Sequence, residues 1–124
     1  MSITDNKDLV ARYFAALSGQ PKTEDLVRTY TNDPALLGHV AFFEAAFPRY
    51  ELFADDLLAE GDKVAVRARF AGVHKGDLQG IAPTGKAVAL PFIIIYRIAS
   101  GLIAEHWMSV DQLDLMRQLG VIQP

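Results

Sequence analysis

His106 and Tyr96 are the side chains of this chain best placed to move a proton. An imidazole titrates near neutrality and can act as a base, while a phenol can donate to an oxygen on which negative charge develops. The bland alternative is a packing pair whose polar atoms satisfy one another. Asp111 is the next carboxylate along the chain, and its residue type is also what a helix start wants. His74 opens a Gly-containing loop, where it either touches a ligand at a cavity rim or anchors the loop locally. Asp55 and Asp56 are adjacent on an expected strand, so they should point to opposite faces and at most one can face inward. Three histidines without close spacing make no credible metal site. The segment GIAPTGK, residues 80–86, lacks the spacing of a phosphate loop and precedes a strand instead of a helix.

A hairpin is what would bring His106 to Tyr96. The stretch from Lys86 to Asp111 holds the longest apolar run, the only Trp and a turn signal at Ala99-Ser100-Gly101. Pairing Ile98 with Ala104 sets Tyr96 opposite His106, Arg97 opposite Glu105 and Ile94 opposite Met108. Ile94, Tyr96, His106 and Met108 then share one face. Ile95, Arg97, Glu105 and Trp107 share the other, and Trp107 with Ile93 and Ile95 there would form a patch that wants a partner sheet.

The rest of the chain supplies the layers around that hairpin. A first helix is expected from about Asp5 to Leu17, capped by Thr4 or Asp5, with Leu9, Val10, Tyr13, Phe14 and Leu17 as its apolar stripe. A second starts at Thr23. A third has Asp33 as cap and Pro34 at its first position, and Leu36, Leu37, Val40, Phe43 and Phe47 form its stripe. After Pro48 the period changes to two. Tyr50 to Ala59 reads as a strand, and Val64, Val66, Ala68 and Phe70 alternate with Lys63, Arg67 and Arg69 in the next. A connection from His74 to Lys86 leads into the hairpin. A short helix, about Asp111 to Leu119, closes the chain, with Ser109 and Gln112 at capping-box spacing and Gly120 as its stop. Helices first and strands after give an α+β arrangement, with helices on one face of a mostly antiparallel sheet. A strongly curved sheet of this kind encloses an apolar interior, a common small-molecule site. From the helical side Tyr13, Leu17 and Phe43 are expected to line it. Phe70, His74, Ile94 and Met108 are expected from the sheet.

The 124 residues suit one domain, 1–124, and a 51% hydrophobic share supports a core. Net charge is −3 with no basic stripe, which argues against nucleic acid as a partner. There is no cysteine, so disulfides and thiolate metal sites are excluded. The start, MSITDNKDL, has no apolar signal core, and the run from Ala87 to Tyr96 is too short to span a bilayer. A soluble, cytoplasmic protein without membrane partners is the expectation.

Several segments in order carry a resemblance: GDKVAVR, G-x-H-x-G, G-I-x-P-T-G-K, YRI-x-x-G and EHW. Together, over roughly Ala46 to Gly120, they resemble the SnoaL-like polyketide (ester) cyclases of the NTF2-like superfamily. The resemblance implies a cone-shaped fold with a pocket and a homodimer formed through the sheets. It implies ring closure by intramolecular aldol condensation, with a carboxylate as acid and base and no metal or cofactor. In that family the acting Asp commonly sits two places after the His of the EHW-type segment, which here is Met108. A His of some cyclases falls on Ile94. A thioether cannot transfer the protons that aldol closure needs. The residues therefore leave three readings open. One is a cofactor-free cyclase, lyase or isomerase of a small apolar carbonyl compound, using His106, Tyr96 and Asp111. Another is a non-catalytic domain that holds a small apolar ligand, and the third is a dimeric interaction domain with a collapsed cavity.

Overall fold

The computed structural model describes residues 2–122. Local sequence signals account for the helix ends. Helix α1, Ile3–Leu17, is capped by Ser2, whose hydroxyl accepts from the Asp5 amide while the Asp5 carboxylate accepts from the Ser2 amide. This capping box moves the start two residues ahead of the expected one, because Asp5 fills the third helical position instead of the cap. Helix α2, Glu24–Arg28, is a short piece capped by Thr23. Helix α3, Pro34–Ala46, begins with Asp33 accepting from the Ala35 amide and with proline at a position that needs no N–H. Helix α4, Gln112–Leu119, ends at Gly120, whose φ of 78° is favourable for glycine.

Four antiparallel strands lie in chain order: β1 Glu51–Glu60, β2 Lys63–Val73, β3 Ala87–Ala99 and β4 Leu102–Val110. The helices cover one face. Val64, Val66 and Ala68 of β2 and Ile94, Tyr96 and Ile98 of β3 are buried there against Val10, Tyr13 and Phe14 of α1. A second core segment joins Phe47, Tyr50 and Phe70 to Leu115 and Leu119 of α4. The opposite face carries the charged residues of β2 and leaves Ile93 and Trp107 nearly half exposed. No described helix is long and apolar enough to cross a membrane.

The β3–β4 turn is tighter than the three-residue signal suggests. Only Ser100 and Gly101 lie outside the strands, and both have positive φ, 51° and 76°, as a type I′ hairpin requires. The register from Arg97 towards Phe92 is the expected one, with Tyr96 opposite His106 and Ile94 opposite Met108. Nearer the turn it differs: Ile98 pairs with Ile103, and Ala104 is an extra residue in a bulge. A second bulge lies in β1, between Ala54 and Asp56. It corrects the expectation for Asp55 and Asp56. The inserted residue suspends strict alternation, and both carboxylates meet arginines on the exposed face, Asp55 with Arg69 at 2.8 Å and Asp56 with Arg67 at 2.6 Å.

Candidate functional site

Between α1, α3 and the helix-covered face of the sheet lies an apolar cavity of about 60 Å³. Tyr13, Phe43, Phe70, Ile94, Tyr96 and Met108, all singled out from sequence, border it. The thioether of Met108 thus stands at the cavity wall beside its cross-strand partner Ile94. His39, Tyr50, Leu52 and Phe92 also border it. The space is smaller than a typical pocket for a drug-sized ligand, about 300–1,000 Å³. A larger ligand requires its walls to move, and Met108 and Phe43 are only partly buried. An unbranched thioether is well suited to that.

Three expected participants lie elsewhere. Leu17 is fully buried in the core and does not border the cavity, because the last turn of α1 lies against the body of the protein. His74 is also fully buried, under Phe47 with 5.4 Å between ring centroids. Its Nδ1 accepts from the Thr84 amide at 3.1 Å, so it fastens the two ends of the 74–86 loop. Asp111 caps α4, accepting from the Asp114 amide at 2.9 Å, and is exposed on the side away from the cavity. The same bond replaces the Ser109–Gln112 capping box, since Ser109 is still in β4.

His106 has a different partner from the expected one. Its Nδ1 lies 2.9 Å from Asp33 Oδ2, and both side chains are largely shielded, 14% and 10% exposed. A chain of contacts holds Asp33 there. The Thr31 hydroxyl donates to the Ile103 carbonyl at 2.6 Å and accepts from the Asp33 amide at 3.0 Å. The Ile103 amide donates to the Tyr30 carbonyl, and the Asn32 amide donates to the Ile103 carbonyl. Residues 30–33 are therefore pinned to the start of β4, just before the Ala104 bulge. One carboxylate does two jobs: Oδ1 caps α3 and Oδ2 orients the imidazole. An ionised carboxylate only accepts, so Nδ1 of His106 carries the hydrogen and Nε2 keeps a lone pair.

Neither Asp33 nor His106 borders the cavity directly; His39 does, and its ring centre is 6.0 Å from that of His106. Burial, with a smaller contribution from His106, pushes the His39 pKa down to about 4. His39 is a neutral imidazole at physiological pH. Tyr13, Tyr50 and Tyr96 bring phenols to the same cavity. Burial raises all three above the ordinary tyrosine range, and nearby Asp33 adds to the effect at Tyr13. They remain neutral donors. His39 was detectable in the sequence, as it falls on the α3 stripe between Leu36 and Phe43. Asp33 carried only its local capping signal. No group of three or more potential metal ligands occurs among the described residues.

The family model described as SnoaL-like polyketide cyclase matches residues 20–119. Solved structures agree in fold. TsrD from Streptomyces laurentii is 26% identical, with 98% of this chain and 99% of that chain covered and a TM-score of 0.80. A candidate SnoaL-like polyketide cyclase from Jannaschia sp. CCS1 is 25% identical, with 99% and 97% covered and a TM-score of 0.83. AclR, a candidate hydroxylase from Streptomyces galilaeus, is 23% identical, with 99% and 85% covered and a TM-score of 0.84. No curated protein matches the chain significantly. These similarities give an α+β, NTF2-like cone.

Proposed function

Since the chain belongs to the SnoaL-like polyketide cyclase family, we propose that it is a cofactor-free cyclase, lyase or isomerase. Its substrate is a small carbonyl compound with an apolar body. The observation that carries this reading is the Asp33–His106 pair, set behind a cavity that is apolar apart from His39 and three tyrosines. Deprotonation alpha to a carbonyl needs a base and a donor for the enolate oxygen. Asp33 fixes the His106 tautomer and stabilises its imidazolium, as an orienting carboxylate does. The pair takes up the proton. His39 connects it to the substrate, either by a small rotation or through one water, because its own low basicity makes it a poor resting place for the proton. Tyr96 donates to the oxygen. Met108, at the family's usual carboxylate position, supplies only apolar contact.

The same methionine favours a second reading, a domain that binds an apolar ligand without turnover. Deuterium exchange at the alpha carbon of cyclohexanone in D₂O, followed by NMR, separates the two. The enzyme reading expects exchange above the buffer rate, and His106→Ala should reduce it by about 10²–10⁴-fold. Exchange at the buffer rate, together with an apolar metabolite retained through gentle purification, decides for the binding domain.

A further inference from the structure

The cavity's hydroxyl groups are held firmly yet lack acceptors. The ring of Tyr96 packs edge-on against Phe14 and Tyr13, with centroids 6.3 and 5.9 Å away. Tyr50 lies against Phe70 at 4.9 Å and under the Lys22 ammonium, 3.9 Å from its ring centre. That ammonium is itself fixed by the Tyr50 and Gln20 carbonyls and by Glu44. Aromatic packing of this kind fixes where each hydroxyl points. All three rings border the cavity, yet none of their hydroxyls has a hydrogen-bond partner among the described residues. The two side-chain polar atoms that are wholly enclosed and unpartnered lie elsewhere, at Asn6 and His74. Burying a donor without an acceptor is costly, and folds rarely retain several such groups in one place without a use. The phenols are also mutually close enough to raise one another's pKa, Tyr13 acting on Tyr50 and on Tyr96.

We propose that Tyr13, Tyr50 and Tyr96 form a cradle of neutral donors for one oxygen of the ligand, so that the cavity selects a carbonyl or enol over the hydrocarbon of the same shape. This deepens the reading of the cavity as a carbonyl site by assigning recognition of the oxygen to three named phenols. Neutral donors suit this place because Asp33 lies beside Tyr13. A permanently anionic group would be repelled there. A carbonyl oxygen accepts from the phenols at once, and as charge grows on it the response comes from preset dipoles instead of reorganising water.

The test pairs cyclohexanone with methylenecyclohexane, which has the same outline and no oxygen. Calorimetric titration should give the ketone at least a tenfold lower Kd. The infrared carbonyl stretch of the bound ketone should fall below its value in hexane. Tyr13→Phe, Tyr50→Phe and Tyr96→Phe should each weaken ketone binding about 3- to 10-fold, the range for one neutral hydrogen bond. Each should also reduce the infrared shift and leave the alkene's affinity unchanged. Because the hydroxyls lack protein partners, the variants should melt at the wild-type temperature or above it, which a structural role for the hydroxyls would not allow. Equal affinities for ketone and alkene, an unshifted stretch, or failure of both probes to bind overturns the cradle. Ketone selectivity without alpha-proton exchange upholds the cradle and removes the catalytic reading. Exchange without an infrared shift does the reverse.

Discussion

The two faces of the sheet use the same strands and opposite electrostatics. On the outer face charges are many and paired across strands: Arg69 forks onto Asp55, Arg67 meets Asp56, and Arg97 meets Glu105. These groups are mostly solvated, and water and salt screen them. On the inner side polar groups are few: His39, His106, Asp33 and three phenols among aliphatic and aromatic walls. There the low dielectric magnifies every pairing and every omission. Removing a charge from the outside should therefore do little, while adding or removing one inside should change both stability and chemistry.

The largest effect is expected at Asp33. Asp33→Asn keeps a good helix cap but removes the anion behind His106, so ketone exchange should fall about 10²–10⁴-fold while the melting temperature barely moves. Asp33→Ala should add a loss of about 1 kcal/mol in chemical denaturation, the usual worth of a cap. Equal loss of activity and stability in both variants would erase the distinction between orienting and capping. Next comes Met108→Asp. Keeping a carboxyl protonated about three units above its ordinary range costs about 4 kcal/mol at pH 7. The deficit should shrink as pH falls, and any gain in cyclase turnover on a polyketide ester would indicate a chamber still shaped for such substrates. A Met108→Asp protein as stable as the parent at pH 7 would mean that water already fills this face.

His39 sharpens the contrast through pH. Its folded pKa of about 4 lies below the free value of 6.5. The folded state therefore binds fewer protons, and stability present above pH 6.5 is lost as pH falls towards 4, by up to about 3 kcal/mol. Urea denaturation of His39→Gln should be flatter across that window, and an unchanged slope would contradict burial of the neutral ring. On the outer face, Trp107 and Ile93 form the patch that the expected dimer would cover. Trp107→Lys should convert dimer to monomer in sedimentation, and a wild-type protein that sediments as a monomer at micromolar concentration removes that expectation. The smallest effect is expected for Arg69→Ala, whose melting temperature should approach that of the parent as salt is raised.

Much of the fold was legible because it is written locally. Period-3.6 stripes and the Asp33-Pro34 start gave α1 and α3, and alternation around Val64 to Phe70 gave β2. The pairing of Tyr96 with His106 followed from a turn that specifies its own register. Bulges were not legible, since one inserted residue leaves the composition of a strand unchanged. Nor was the Asp33–His106 bond, which joins positions 73 apart through a segment that sequence marks only as a cap. Tyr50 read as the start of a strand, and nothing in its neighbourhood signalled that its ring would reach the cavity.

Ala104 carries no functional group, yet it sets the parity of everything after it in β4. Were that single position deleted while the turn stayed put, Glu105, Trp107 and Ser109 would rotate inward, and His106 and Met108 would face the solvent. A one-codon deletion would thus exchange the contents of the chamber wholesale while every helix kept its place. Drift in this fold can proceed by such frame changes as well as by substitution, and sequence comparisons that slide across position 104 without a gap will match the wrong residues.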